Sequence, residues 1–446
     1  MNFKSFLKQA DLQEKSHQVE GVDWILKRES NQYDTNSNIK GGIIADEMGL
    51  GKTIQLIGAM VSNKKKHTLI VVPLCLMNQW NREIGRTTGH RCLIYHGTKK
   101  KQYTINLLKE EAIVITSYGT FKHKKSILNQ IEWDRTIFDE AHHLRNFNQF
   151  EESSLQKVTS LKSNIIWLIT GTPIQNKRRD ISNLFRILGY PLSYISSNLK
   201  MLINQQLLRR TKASVGIKLP LLTVEECIVN WDTKEENALA NKVQGSIFGS
   251  SMPFEQKYSR FLDDDLLITK FLRAKQNCIM PKMLNKQLEE SELDPIQSSL
   301  KLSKVLTKME EFSNSPKIVF SNFHMEIDFL YEECQKRNWT VAKVDGRTSS
   351  SNRKTIFADS YQVLLLHIIS GCEGLNLQQY THMFFTSPHW NPSLEDQAIA
   401  RAHRIGQSNP VKVFHFKMEK EKIPNIETFI GEKQKDKKEL ARQYLD

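Results

Sequence analysis

The sequence predicts an α/β fold of two doubly wound parallel-sheet lobes with helical insertions between them. Three observations predict it. Short β-branched and aliphatic runs recur in both halves of the chain, as strands buried on two faces do. Segments of helical length, with apolar residues three and four apart, alternate with those runs. The length, 446 residues, suffices for two or three separate cores.

The first strand series is Gly42–Ala45, Thr68–Val72, Ala112–Thr116, Thr136–Phe138 and Ile165–Ile169, with helices over Thr53–Val61 and Met77–Ile84. Such alternation builds a doubly wound sheet. From about Asp180 to Ser315 helical periods and charges dominate, apart from a strand-like run at Thr223–Val229, so this stretch reads as helical inserts and a linker. A second series follows at Lys317–Phe320, Thr340–Val344, Val363–Ile368, His382–Phe385 and Val411–Phe416. The closing GEKQKDKKELARQYLD reads as a charged surface helix. The expected division is therefore a first lobe over 1–225, a helical insert and linker over 226–315, a second lobe over 316–420 and a terminal helix over 421–446.

Composition narrows the class. With 39% hydrophobic and 25% charged residues the chain is of the globular type. Sixty-three Lys plus Arg against 49 Asp plus Glu leave a formal +14, which suits a polyanionic partner and equally a plain basic protein. Six scattered cysteines, Cys75, Cys92, Cys227, Cys278, Cys334 and Cys372, form no CxxC pair and argue against a zinc module or a disulfide framework. The first residues lack a signal-peptide apolar core, and no run approaches the ~18 apolar residues of a membrane span. An intracellular, soluble protein with no membrane partner is expected.

Chemistry concentrates in two places. In GGIIADEMGLGKTIQLIGAM a strand meets a glycine-bearing loop and then a helix, the order a phosphate cradle requires. Gly49 and Gly51 would let backbone N–H groups close on phosphates, Lys52 would reach the β and γ oxygens, and Thr53 would hold Mg2+. Asp46 stands where GxxxxGK[ST] has its first glycine, and a tight strand–helix turn is the other reading of this stretch. Further on, Ile137 and Phe138 run into Asp139, Glu140, Ala141 and His142. An acidic pair at a strand's C-terminal edge can bind Mg2+ through water, by Asp139, and orient the attacking water, by Glu140. Alone, DEAH also fits a helix cap.

Read in order, DEMGLGKT, DEAHHLRN, LITGTPIQN, GLNLQQ and QAIARAHRIGQ resemble the SWI/SNF-type DNA-translocating ATPases of helicase superfamily two, over roughly Ser16 to Pro410. Asp46 is ordinary there. FDEAHHLRN and LRRTKASVGIKLP look most like the branch that often carries a RING finger, without the RING cysteines, and the short length suits a compact viral member of the global-transactivator kind. The resemblance implies two RecA-like lobes, ATP and Mg2+ as cofactors, and duplex DNA as partner. It implies a DNA-dependent ATPase that translocates on duplex DNA and remodels nucleosomes or other protein–DNA complexes in transcription regulation or DNA repair, acting as a monomer, in the nucleus if the source is eukaryotic or a virus that replicates there. A strand-unwinding helicase and a non-catalytic DNA-binding activator are the rival readings.

Roles carry over residue by residue. The nucleotide set is Gln18, which matches the adenine-reading glutamine, with Asp46, Glu47, Met48, Gly49, Leu50, Gly51, Lys52 and Thr53, and Gly374 from the second lobe. Arg401 and Arg404, spaced to share one helix face, match arginine fingers aimed at the γ-phosphate. DNA contact or coupling is implied for Pro73, Asn78, Trp80, Thr116, Ser117, Thr170, Thr172, Gly346 and Arg347. The lysine runs 64–66, 99–101 and 122–125 add charge or are solvated loops. One departure stands out: Ser387, in TSPHWNP, replaces the aspartate usual in that family.

Overall fold

The strands lie in two separate parallel sheets, whose central members are buried on both faces while the edge strand Leu222–Val229 is largely exposed. The structure, a computed structural model, describes all residues except 31–38, 124–125, 145–157, 159, 232, 249–264, 286–298, 372–374, 420–423 and 446. The chain divides into two units: Met1–Lys218 with Glu439–Asp446, and Leu219–Lys438.

The first unit holds β1 (Lys40–Ile44), β2 (Thr68–Val72), β3 (Leu93–Tyr95), β4 (Ile113–Ser117), β5 (Trp133–Phe138), β6 (Ser163–Ile169) and β7 (Leu207–Leu208). Their spatial order is β3-β4-β2-β5-β6-β1-β7, all parallel, with Ile43 opposite Leu168 and Ile70 opposite both Ile115 and Ile137. Alternation explains the buried runs. Leu69 and Val71 face one core, built with the helix Arg178–Leu188, while Ile70 and Val72 face the other, built with the helices Ser16–Glu29, Lys52–Ser62 and Met77–Thr88. A buried tetrad also fastens the helix Ser16–Glu29: Glu29 accepts from Arg135 at 2.6 and 2.7 Å, from Trp167 at 2.9 Å and from Asn63 at 2.6 Å. Leu440, Ala441, Tyr444 and Leu445 pack on this unit's core, and Arg209 donates to the Leu445 carbonyl at 2.8 Å.

The second unit holds β8 (Leu222–Val229), β9 (Lys317–Ser321), β10 (Val341–Val344), β11 (Val363–His367), β12 (His382–Phe385) and β13 (Val411–Met418), in the order β10-β11-β9-β12-β13-β8, again parallel. Phe384 turns to one core and Met383 and Phe385 to the other.

Here the expected division is corrected. β8 pairs with β13 over eight residues, Leu222 with Val411 through Val229 with Met418, so a first lobe ending at 225 would cut the edge strand of the second sheet. The described residues of 226–315 likewise form no separate insert. Phe271, Ala274 and Cys278 of the helix Asp265–Ile279, and Leu302, Val305 and Leu306 of the helix Leu300–Glu310, share one core with Val319 and Phe384. The terminal helix, Ile426–Leu445, starts inside that core, with Ile426, Glu427, Phe429 and Ile430 buried, rather than lying wholly on the surface. No helix among the described residues is long and apolar enough to cross a membrane.

Candidate nucleotide and DNA site

In a parallel sheet the crevice for a ligand lies beyond the C-terminal strand ends. Those ends carry Asp46 after β1, Pro73 after β2, Ser117 at the end of β4, Asp139 after β5 and Thr170 after β6. The loop from Ala45 to Gly51 turns on two left-handed glycines, Gly49 at φ 93° and Gly51 at φ 79°, which a side chain would strain. A Cβ on Gly51 would lie 2.3 Å from Gln18 Nε2. Lys52 opens the helix Lys52–Ser62 and donates to the Asp46 carbonyl at 2.6 Å. Left-handed glycines, a lysine and a helix N-terminus fit a phosphate.

Asp46 answers the missing glycine. It is wholly buried, and its carboxylate accepts from Arg210 at 2.6 and 3.1 Å and from Gln55 at 3.2 Å, turned into the protein rather than onto a phosphate. Glu47 accepts from the Lys212 backbone N–H at 2.7 Å and pairs with its ammonium at 3.0 Å. The Ala45 and Glu47 N–H groups donate to the carbonyls of Leu208 and Arg210, so the stretch after β7 forms one wall of the loop. Sequence reasoning missed Arg210, Lys212, Gln55 and His17. The only signal was the pair of arginines in LRRTK. Three side chains meet the Leu50 carbonyl: Gln18 at 3.3 Å, Gln55 at 3.3 Å and His17 at 3.1 Å, with burial holding His17 below the usual imidazole range.

Beyond β5, Asp139 accepts from Trp80 Nε1 at 2.7 Å and from the Glu140 N–H at 2.9 Å. Burial, then the neighbouring Glu140, push its carboxyl up to about 6, against the opposing pull of Trp80 and Lys52. Glu140 is left-handed at φ 51°, a conformation that costs a non-glycine residue about 1–3 kcal/mol and persists where neighbours enforce it. His142 Nδ1 lies 3.1 Å from Glu140 Oε2, and the Tyr118 hydroxyl holds the Asp139 carbonyl at 2.7 Å. Ala141 is buried. Thr53 and Asp139 offer the hard oxygen donors that Mg2+ takes. Gly171 closes the group: a Cβ there would lie 2.9 Å from Met48 Cε and 3.9 Å from Lys52 Nζ, so the TGTP turn rests on the phosphate loop.

The residues expected to contact DNA or to couple to it are placed as follows. Trp80 is 1% exposed and spends its only donor on Asp139, because the helix Met77–Thr88 turns that face onto the sheet. Thr116 is wholly buried within β4 and donates to the Tyr95 carbonyl at 2.8 Å. Ser117 is buried and caps the helix Tyr118–Lys122, accepting from the Thr120 N–H at 3.3 Å. Thr170 is wholly buried, its hydroxyl accepting from the Thr172 N–H at 3.1 Å. Pro73 is buried, Thr172 half-buried and Asn78 exposed.

In the second unit the helix Pro392–Ala402 carries Arg401 in its last turn and stops at His403, so Arg404 lies past the helix rather than on its face. Burial, then the charge of Arg401, lower the Arg404 guanidinium from its ordinary value, and among the described residues no carboxylate pairs with it. Two crowded cations of this kind fit an anion. Gly346 and Arg347 are exposed. The Arg347 guanidinium, however, is already matched by Asp328 at 2.8 and 2.9 Å and by Asp345 at 2.5 and 3.0 Å. Ser387, just past β12, is buried, and its hydroxyl has no hydrogen-bond partner among the described residues. Gly374, and Lys124 and Lys125 of the third lysine run, lie outside the described residues.

Residues 17–192 match the SNF2-related domain family, and residues 274–406 match the helicase conserved C-terminal domain family. The ATP-dependent DNA helicase DDM1 of Arabidopsis thaliana is 26% identical over 464 residues, covering 90% of this chain and 58% of that protein. The ISWI chromatin-remodeling complex ATPase ISW2 of Saccharomyces cerevisiae is 27% identical over 92% of this chain and 39% of its own length. The chain thus spans about half or less of those two relatives. A probable global transactivator of Orgyia pseudotsugata multicapsid polyhedrosis virus is 26% identical, covering 96% of this chain and 91% of that one. The solved SWI2/SNF2 ATPase core of Sulfolobus solfataricus in complex with dsDNA aligns with 91% of this chain and 87% of its own, at 23% identity and a TM-score of 0.43.

Proposed function

The chain belongs to the SNF2 family, and on that premise we propose that it hydrolyses ATP when bound to duplex DNA and moves along the duplex, displacing nucleosomes or other bound proteins. The observation that carries this reading is the convergence, in one unit, of Lys52, Asp139 and the TGTP turn around two left-handed glycines. Lys52 and the loop N–H groups bind the phosphates. Thr53 and Asp139 would hold Mg2+, which when bound neutralises charge on the phosphate oxygens. Glu140, fixed in its strained conformation, orients the attacking water. Arg401 and Arg404 supply positive charge to the γ-phosphate, so turnover answers to the second unit as well as the first. Gln18 contributes to the adenine end of the site. Asn78, Thr172 and the Gly346 backbone are the exposed or half-exposed groups left to meet DNA phosphates, which position a protein without reading sequence. The working form is a monomer, and its place is wherever duplex genomic DNA lies, the nucleus in a eukaryotic cell.

The deciding experiment measures ATP turnover with no nucleic acid, single-stranded DNA, duplex DNA, RNA and nucleosomes, alongside triplex displacement and forked-duplex unwinding. Stimulation by duplex DNA, ATP-dependent triplex displacement and no unwinding are expected. About five neutralised phosphates give a log–log salt slope of affinity near roughly −4 to −5. Efficient unwinding without triplex displacement establishes a helicase instead, and DNA binding with no turnover establishes a non-catalytic activator.

A further inference from the structure

The helix that presents Arg401 starts from a loop, Ser387–Asn391, whose carbonyls are held from outside. Gln434 Nε2 donates to the His389 carbonyl at 2.6 Å and to Glu395 Oε1 at 3.0 Å. Lys437 Nζ donates to the Trp390 carbonyl at 2.7 Å, and Lys438 pairs with Asp396 at 3.0 Å. Residues 434, 437 and 438 are spaced three and one apart, hence on one face of the terminal helix. Glu395 also accepts from the His389 N–H at 2.6 Å, so one buried carboxyl joins loop, arginine-bearing helix and terminal helix. Its burial pushes it up to about 7, which suits an amide partner better than a cation. The Trp390 and Phe429 rings, 6.0 Å apart and edge to face, pack the same junction.

We propose that Gln434 and Lys437 are positioning residues for Arg401 and Arg404, setting the angle at which the arginine-bearing helix leaves its loop. The proposal rests on the ATPase reading above. The helix Pro392–Ala402 is eleven residues, a rod about 16 Å long at ~1.5 Å per residue. A tilt of about 4° at its start moves its far end by about 1 Å, and a misplacement of that size can cost on the order of 10²-fold in rate. The first turns of the terminal helix are fixed independently by Ile426, Phe429 and Ile430 in the core. Residues 434 and 437 therefore act from a rigid base, and truncating them leaves that base intact.

The test compares the full chain with Gln434→Ala/Lys437→Ala, Lys437→Arg, Arg404→Ala and the triple variant, in DNA-stimulated ATP turnover. The double variant should lose about tenfold or more in kcat with KM for ATP unchanged within about twofold, since the nucleotide is held by the other unit. Lys437→Arg, which keeps a donor to the Trp390 carbonyl, should retain most activity. Added to Arg404→Ala, the double substitution should cost clearly less than it costs the parent, because part of its effect acts through the missing arginine and only the part through Arg401 remains. A loss that multiplies on the Arg404→Ala background, or one that follows a lowered Tm with kcat per folded molecule unchanged, overturns the positioning role. If the parent turns over ATP and Arg404→Ala abolishes it while the double variant keeps full kcat, this proposal fails and the ATPase reading stands. A parent without turnover removes both.

Discussion

The two charged sites differ in how their charges are satisfied. In the first unit each key carboxylate is already engaged by neighbours, Asp46 by Arg210 and Gln55, and Asp139 by Trp80 and the Glu140 N–H. In the second, Arg404 is half-buried beside another arginine with no carboxylate partner among the described residues. A site wired in this way keeps its geometry whether or not ligand is bound, whereas crowded cations gain most when an anion arrives. On the proposed ATPase reading, binding and water activation would belong to the first unit and a charge-dependent response to the second.

The sharpest way to break that assignment is in the first unit. Lys52→Ala should bring ATP turnover to background, and Glu140→Gln should cut it by on the order of 10³ while nucleotide binding persists, measured by steady-state hydrolysis and fluorescent-nucleotide titration. Parent-like turnover in Glu140→Gln removes that carboxylate from the chemistry. In the second unit, Arg404→Ala should lower DNA-stimulated kcat by about 10²–10³ and spare nucleotide affinity, with Arg401→Ala similar or milder. Equal losses of affinity and rate would mean that the second unit binds rather than responds.

Smaller effects sharpen the wiring. Arg210→Met strands the buried Asp46 carboxylate and should destabilise the first unit by about 3–5 kcal/mol in urea unfolding. Trp80→Phe keeps most of the packing but removes the donor to Asp139, costing about 1–3 kcal/mol, with DNA affinity unchanged. A large loss of DNA affinity without loss of stability would return Trp80 to the DNA surface. The smallest effect is at Arg347. Its bonds draw Asp328 down to about 2, and with His324 they outweigh the upward push of burial on Asp345, which also ends at about 2. An unfolded aspartate titrates near ~3.9, so this cluster stabilises the second unit above about pH 4 and loses that contribution as pH falls toward about 2. Arg347→Gln should flatten that part of the acid-unfolding curve, followed by circular dichroism.

What the sequence made legible was contiguous. The phosphate loop and DEAH are short motifs whose chemistry depends on neighbours in the chain, and the strands Thr68–Val72 and His382–Phe385 are uninterrupted buried runs with the same ends in sequence and structure. β3, of three residues, and β7, of two, are too short to show a period. β8 was visible as a strand but not as a member of the second sheet, since its partner β13 lies far along the chain. Arg210 was hidden for the same reason: nothing near Asp46 announces a guanidinium 164 residues away. Trp80 is different, because Met77, Trp80, Ile84 and Thr87 are the buried residues of their helix, at spacings of three, four and three. That stripe was readable as core, and the polar neighbours in NQWNRE masked it.

The first unit is assembled from both ends of this sequence, Met1–Lys218 and Glu439–Asp446. A chain made from its N-terminus at ~5–20 residues per second completes residues 219–438 on the order of tens of seconds after the first sheet has emerged. For that interval the core surface that Leu440, Ala441, Tyr444 and Leu445 will cover has no cover from them, and Arg209 waits for the Leu445 carbonyl. These contacts of the first unit are thus timed by synthesis of the second, and a pause while residues 219–438 are translated prolongs the exposure of a surface encoded before them.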